Sequence, residues 1–217
     1  MTIIRLVFSI TILLTLFCSF EVRASSKKKS NFGFRPPNNG APAHTVGGAV
    51  RGNICAADKE KDSYIKTYTS DSSLTAKSHP KIVVFVPELD SNKQGFLIIK
   101  DREENYYEKQ PLTIPSDGGK IVLALDSDRP SLESGITYEY FLRIQCKDRP
   151  QPMDPVIKGS IERVAGNIIL PAEVSLKQQF EMLVEAELWY DALYIAHKLS
   201  EQGDSSYWEA LTNFESN

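Results

Sequence analysis

The feature that most constrains the fold of this chain is a change of hydrophobic period along the sequence. Between residues 64 and 164 the apolar residues fall in short runs separated by turn residues such as Gly118-Gly119. After Pro171 they recur instead at the spacing of an α-helix. Short β-rich runs at hairpin spacing predict a sheet structure of the antiparallel kind rather than alternating βα units.

Two of these runs show how the strands are buried. Residues 82–86 are continuously apolar and end at Pro87, which is typical of a strand buried on both faces. Residues 136–146 alternate, so that their tyrosines share one face with Cys146 while Phe141 shares the other with charged residues. The predicted fold class is mainly β with α, an antiparallel immunoglobulin-like β-sandwich followed by a C-terminal α-helical hairpin.

The helical region should contain a pair of helices and a short last element. The apolar stripes are formed by Leu176, Phe180, Leu183, Val184, Leu193, Ala196, His197 and Leu199. We expect the second helix to be capped by Asp191 or to begin at a break around Glu187, and to stop at Gly203. Trp208, Leu211 and Phe214 predict an element that folds back on the pair.

Residues 1–24 have the pattern of a signal peptide. Arg5 precedes an apolar run, and Val22 and Ala24 occupy the positions that signal peptidase reads. Cys18 is a candidate lipid acceptor, but Phe17 precedes it where a small residue is needed, so a cleaved product is favoured. We therefore predict a periplasmic or secreted protein with no integral membrane span after cleavage.

The remaining chain divides into three parts. Residues 25–53 are rich in Pro, Gly and Asn and predict a flexible arm, residues 54–166 the β-sandwich domain, and residues 167–217 the helical hairpin. The basic run 27–29 in the arm suits a solvated linker or a contact with anionic headgroups.

The charge of the chain argues against nucleic-acid binding. The chain has 25 basic and 28 acidic residues; residues 1–24 hold two of the former and one of the latter, which leaves 23 against 27, a net charge of −4. Nucleic-acid binders normally show a basic excess.

Two cysteines follow the predicted leader, Cys55 and Cys146. An oxidising compartment favours a disulfide between them, although two separate buried thiols are the alternative. Such a bridge closes a loop of about 90 residues and would stabilise the fold by on the order of 4 to 5 kcal/mol.

The sequence contains no recognisable catalytic, cofactor or metal motif. The histidines His44, His79 and His197 lie outside any Gly-x-Ser-x-Gly or His-Glu-x-x-His pattern. Asp126, Asp128 and Glu133 do not match an EF-hand and are interpreted as an acidic turn, and the adjacent Glu103 and Glu104 as a hairpin tip. We predict no catalytic residue, no cofactor and no metal.

The aromatic residues of the helical region are the candidate interface. They are Trp189, Tyr190, Tyr207 and Trp208. Aromatic side chains at helix ends can line a peptide groove, but packing of the hairpin core is the favoured explanation, because large aromatic residues usually bury their area first. Their exposure decides between the two interpretations.

Several segments resemble the largely cyanobacterial domain of unknown function 928 family. They are the glycine-rich stretch from Phe34 to Cys55, residues 82–87 (IVVFVP), 138–146 (YEYFLRIQC), 156–164 (VIKGSIERV) and 188–193 (LWYDAL). The resemblance implies an exported envelope protein, sometimes found near sensor proteins with extracellular domains, and it implies no reaction.

Two functions remain open from the sequence. The first is a non-enzymatic envelope module that binds a protein or cell-wall component through the hairpin and the adjacent sheet edge. The second is a periplasmic hydrolase with a dispersed active site. An enzyme should show a pocket with convergent polar groups, and a binding module should show an exposed apolar patch.

Overall fold

The computed structural model describes residues 55, 65–68, 73–165 and 173–212. The predicted signal peptide (1–24), the predicted arm (25–53), His44, Phe214 and the domain boundary near residue 166 lie outside the described residues. In the described part the chain forms eight strands and three helices. The strands are β1 Lys66–Thr67, β2 Leu74–Thr75, β3 Lys81–Val86, β4 Lys93–Asp101, β5 Tyr107–Ile114, β6 Gly119–Ala124, β7 Thr137–Gln145 and β8 Val156–Arg163. The helices are α1 Leu176–Glu185, α2 Trp189–Glu201 and α3 Ser206–Thr212.

The strands of the described residues form two sheets. The smaller sheet has the order β1-β3-β6, and the larger sheet has the order β2-β8-β7-β4-β5. The pairs are antiparallel, apart from β2, which runs parallel to β8. The sequence pattern did not predict β2, because two residues are too few to show a period.

The hydrophobic core includes residues from both sheets. Burial alternates along β7, where Tyr138, Tyr140 and Leu142 are at most 1% exposed, while β3 is buried on both faces. Gly159 in β8 leaves room for the ring of Tyr140, since a Cβ atom there would overlap that ring. The predicted burial of these two strands is confirmed.

The helices begin and end where local chemistry dictates. α1 starts with a capping box in which Ser175 and Gln178 satisfy each other's backbone N–H groups. Glu187, with φ of 59°, turns the chain into α2, and Gly203, with φ of 91°, follows the end of α2. Asp191 does not cap α2; its carboxylate contacts the segment that follows β2.

The predicted fold class, a mainly β protein with an antiparallel β-sandwich followed by helices, is confirmed, and α3 adds the expected third element. Among the described residues, none of the helices is long and apolar enough to cross a membrane.

Candidate functional site

The predicted interface aromatics lie mostly inside the protein. Trp189, Tyr190 and Trp208 are 6%, 1% and 7% exposed. Tyr207 is half-buried, with its ring centroid 5.0 Å from that of Phe180. Large aromatic rings remove much apolar area from water, and here the strands provide the surface against which they are buried. Of the four predicted interface aromatics, Tyr207 therefore keeps the most exposed surface.

Three consecutive residues of α2 join the helices to the strands. The indole Nε1–H of Trp189 donates to the Tyr68 carbonyl (2.7 Å), and the Tyr190 hydroxyl donates to the Ser160 carbonyl (2.7 Å). The Asp191 carboxylate accepts a hydrogen bond from the backbone N–H of Ala76 at 2.8 Å. It also accepts from the Thr75 hydroxyl at 3.1 and 3.2 Å.

We call the segment Trp189-Tyr190-Asp191 the anchor. Burial raises the pKa values of two of its residues. It raises the pKa of the Asp191 carboxyl above its usual range, against the opposing effect of the hydrogen bonds. It also raises the pKa of Tyr190 to about 12. Because each polar group in the Trp-Tyr-Asp segment has a partner on a strand or in a strand-flanking loop, this segment positions α2.

Cys55 and Cys146 form a disulfide, with their Cα atoms 5.2 Å apart. The carbonyl of Cys55 also accepts a hydrogen bond from the backbone N–H of Asp90 at 3.1 Å. The disulfide therefore attaches Cys55 to the end of β7, and the hydrogen bond attaches it to the β3–β4 loop. A disulfide of this kind is compatible with an exported protein.

The described histidines are not arranged as catalytic bases. His79 Nδ1 lies 3.1 Å from the Ser78 hydroxyl, but its Nε2 faces the Arg129 carbonyl at 2.9 Å rather than a carboxylate. His197 Nε2 lies 3.6 Å from Glu201, and the nearby Ser200 hydroxyl donates to the His197 carbonyl instead of its ring. Burial lowers the pKa of His197. In the described residues neither histidine combines a serine or cysteine nucleophile with an orienting acid.

The acidic candidates also remain apart. Asp126 and Asp128 are exposed in the loop after β6, and within the described residues no group of three or more His, Cys, Asp or Glu side chains could hold a metal ion. Glu103 and Glu104 are exposed at the β4–β5 turn, where Glu104 pairs with Lys100 at 2.7 Å.

A polar groove with a volume of about 410 Å³ lies beside the disulfide. It is lined by Ser91, Asn92, Lys93, Gln94, Gln145, Cys146, Lys147 and Asp148. Ser91 and Asp148 are present, but this lining contains no histidine. The groove therefore lacks the histidine base that would activate Ser91 in a serine hydrolase.

The most unusual surface is the outer side of the larger sheet. Strand alternation turns one set of side chains away from the core, and the register brings them together in rows across four strands: Phe96 pairs with Arg143, Ile98 with Phe141, and Phe141 with Lys158. We call this set the outer sheet face. It consists of Phe96, Ile98, Lys100, Tyr107, Lys109, Glu139, Phe141, Arg143, Val156 and Lys158.

The apolar centre of this face is separate from the core. Phe96, Ile98 and Phe141 are half-buried, and they are neither part of the described hydrophobic core nor packed against it. Tyr107 and Val156 extend the apolar surface and are 54% and 43% exposed. Four strands and three rows of side chains cover on the order of 300 Å², which is the size of patch that is often functional on a monomer.

Cations surround this apolar centre. Lys109 Nζ lies 4.2 Å from the ring centroid of Phe96, and Lys158 Nζ lies 5.6 Å from that of Phe141. The face carries the four cations Lys100, Lys109, Arg143 and Lys158, and the anions Glu139 and Glu162. Lys100, Arg143 and Lys158 are paired with Glu104, Asp154 and Glu139, so the charges of this face are largely matched within the chain.

The alternation of residues along β7 indicates part of this face from the sequence. Phe141 and Arg143 were assigned to the face of β7 opposite the buried tyrosines, and that assignment is confirmed. The full cluster depends on the strand register, because Phe96 and Ile98 lie on β4 and Phe141 lies on β7, which is far from β4 in sequence.

The fold and this surface define a class of protein: a mainly β domain with C-terminal helices, a disulfide and a sheet face whose apolar centre lies outside the core. The chain belongs to the family described as Domain of Unknown Function (DUF928), which matches residues 46–215. A search of curated proteins gave no match.

Proposed function

We propose that this protein is a non-catalytic module of the cell envelope that binds a partner protein on the outer sheet face. The observation that carries the proposal is the combination on one surface of an apolar centre, formed by Phe96, Ile98 and Phe141, with lysine and arginine side chains at its edge. This proposal replaces the hairpin aromatics as the interface, because three of the four are buried.

The composition of the face favours a protein partner. Interfaces between proteins have an apolar core enriched in aromatic residues and arginine, and a polar rim. Ile98 and Val156 provide aliphatic surface beside the aromatic rings, which suits the side chains of another protein. The area is smaller than the roughly 800 Å² that each partner buries in a standard interface, so we expect this face to be the centre of a larger contact or the whole of a weak one.

Charged side chains border this apolar centre. Lys109 and Lys158 lie over the rings of Phe96 and Phe141, and Lys100, Arg143 and Lys158 are paired with Glu104, Asp154 and Glu139. Reversing the charges of Lys109 and Lys158 therefore alters the edge of the face and leaves its apolar centre in place.

The predicted leader and the disulfide support an envelope location. An oxidising compartment outside the cytoplasm maintains disulfides such as Cys55–Cys146. In that compartment a module without catalytic groups would act by holding its partner.

The test is site-specific photo-crosslinking in the native envelope, with a photoreactive residue at position 107. We expect a crosslinked protein whose yield falls about tenfold when Lys109→Glu and Lys158→Glu are combined, because two surface charges each contribute up to about 1 kcal/mol. The matched control, Lys77→Glu with Lys147→Glu, makes the same charge change at exposed lysines outside the face.

The proposal fails if the control pair lowers the yield as much as the face pair does. It also fails if neither pair changes the yield.

A further inference from the structure

Strand β8 has a backbone edge that faces away from β7. Pairing with β7 uses the backbone groups of alternate residues, and the hydrogen bond from the Ile144 N–H to the Pro155 carbonyl (3.0 Å) identifies them as the odd-numbered ones. The even-numbered residues of β8 therefore turn their N–H and C=O groups to the opposite side. The hydrogen bond from the Glu162 N–H to the Ser73 carbonyl (3.0 Å) lies on that side and confirms this assignment.

One end of this edge is paired and the rest is open. β2 pairs with the last residues of β8, and the Ser160 carbonyl accepts a hydrogen bond from the Tyr190 hydroxyl at 2.7 Å. Among the described residues, the N–H groups of Val156, Lys158 and Ser160 and the carbonyls of Val156 and Lys158 have no hydrogen-bond partner. All three residues are exposed, so these backbone groups lie at the surface.

The other edge of the larger sheet, on β5, is less suited to an additional strand. Pro111 lies in the middle of β5 and has no N–H group to donate. The Gln110 side chain bonds the Ala124 carbonyl at 3.0 Å and the Asp126 N–H at 3.1 Å, which brings the segment after β6 beside β5. Residues 156–160 of β8, in contrast, contain no proline.

The lysine on the β8 edge does not protect it, although edge lysines often have that effect. Lys158 Nζ pairs with Glu139 on β7 and lies 5.6 Å from the ring centroid of Phe141, so this side chain extends over the sheet rather than past its edge. Val156 on the same edge is 43% exposed. A strand added here would place alternate side chains beside Val156, at the border of the outer sheet face.

We infer that the partner protein binds through an extended segment of about five residues, which adds a strand to β8 along residues 156–160. This inference rests on the proposed function of the outer sheet face. The open backbone groups select such an occupant, because an extended chain presents donors and acceptors at the spacing of a strand edge, whereas a helix satisfies its backbone groups internally. The segment should carry β-branched or aromatic residues at the alternate positions that face Val156.

The first measurement is amide hydrogen exchange, resolved by residue with NMR, on the purified, disulfide-bonded protein. The N–H groups of Lys158 and Ser160 should exchange at least about 100-fold faster than those of Ile157 and Gly159, which are bonded to β7. Slow exchange at Lys158 and Ser160 would mean that another part of the chain or a second copy occupies the edge, and would overturn the inference.

The second measurement uses the photo-crosslink from position 107 in the native envelope. Ser160→Pro removes an open N–H and no hydrogen bond within the described part of the chain, so the sheet should still fold. The crosslink yield should fall about tenfold, because a carbonyl of the partner loses its donor. Ser160→Ala keeps the N–H, and Thr113→Pro places a proline at an exposed position on the open edge of β5, so both should crosslink like the unmodified protein.

Circular dichroism verifies that each variant is folded. A folded Ser160→Pro with the full yield would overturn the inference, while a yield that still depends on Lys109 and Lys158 would leave the proposed function intact. If Ser160→Pro does not fold, a photoreactive residue at position 160 decides, and its failure to crosslink the protein captured from position 107 would overturn the inference. Absence of any crosslink from position 107 would refute the proposed function as well.

Discussion

Removing the Asp191 carboxylate should destabilise the protein more than neutralising it. In Asp191→Ala the backbone N–H of Ala76 and the hydroxyl of Thr75 lose their acceptor, and Thr75 is fully buried. A buried donor without a partner costs about 1 to 3 kcal/mol. For the two donors together we expect the free energy of unfolding to fall by about 2 to 5 kcal/mol.

Asp191→Asn is the conservative comparison. Its amide oxygen can accept from Ala76, and the Thr75 hydroxyl can rotate to accept from the amide nitrogen, so both contacts survive without the charge. Burial disfavours the charged carboxylate, as the raised pKa of Asp191 indicates, and this offsets part of what the charge contributes to the hydrogen bonds. We therefore expect a loss of about 1 kcal/mol.

Urea unfolding under non-reducing conditions measures both variants. Hydrogen exchange at the Ala76 amide gives an independent readout, since this amide should exchange faster in Asp191→Ala than in Asp191→Asn. The reasoning is refuted if Asp191→Ala unfolds within about 0.5 kcal/mol of the unmodified protein, the range of an ordinary surface substitution.

Three further predictions concern stability. Cys146→Ser should lower the free energy of unfolding by about 2 to 5 kcal/mol. In calorimetry, reductant should lower the melting temperature of the unmodified protein and leave that of Cys146→Ser unchanged. An unmodified protein whose melting temperature does not respond to reductant would contradict this. Burial lowers the pKa of His197; Glu201 opposes this effect and Lys120 adds to it. The unfolded chain therefore binds the His197 proton more tightly than the folded chain does. The contribution of His197 to the free energy of unfolding is full above about pH 6.5 and falls as the pH drops through that value towards the folded pKa. His197→Gln should flatten this slope in urea titrations, and an unchanged slope would assign it to other groups. Gly159→Ala should cost about 1 to 3 kcal/mol, because Tyr140 is fully buried and cannot move aside; a melting temperature equal to that of the unmodified protein would exclude this overlap.

Much of the fold could be predicted from local pattern. The alternation of residues 136–146 identified the buried and exposed faces of β7 before any partner strand was known, since a strand has a period of two residues whatever lies beside it. The change to a helical period after Pro171 likewise indicated the helices, and Gly203 indicated where α2 ends. The short strand β2 carried no such pattern.

The residues of the candidate site could be predicted less well from local pattern. Trp189 and Tyr190 were compatible both with the hairpin core and with an interface, because composition alone does not show which aromatic rings find a surface to bury them. Asp191 looked like a helix cap because helix N-termini favour acidic residues, whereas its partners, Thr75 and Ala76, lie more than 100 residues away in sequence.

Local sequence pattern accounts for which residues form strands and helices and for which side of each strand avoids water, because these properties follow from the period of apolar residues within one segment. Only the three-dimensional arrangement of the strands shows that Phe96, Ile98 and Phe141 share one patch with lysine and arginine side chains at its edge. Such neighbours depend on strand order and register, which arise from the packing of the whole core rather than from any single segment.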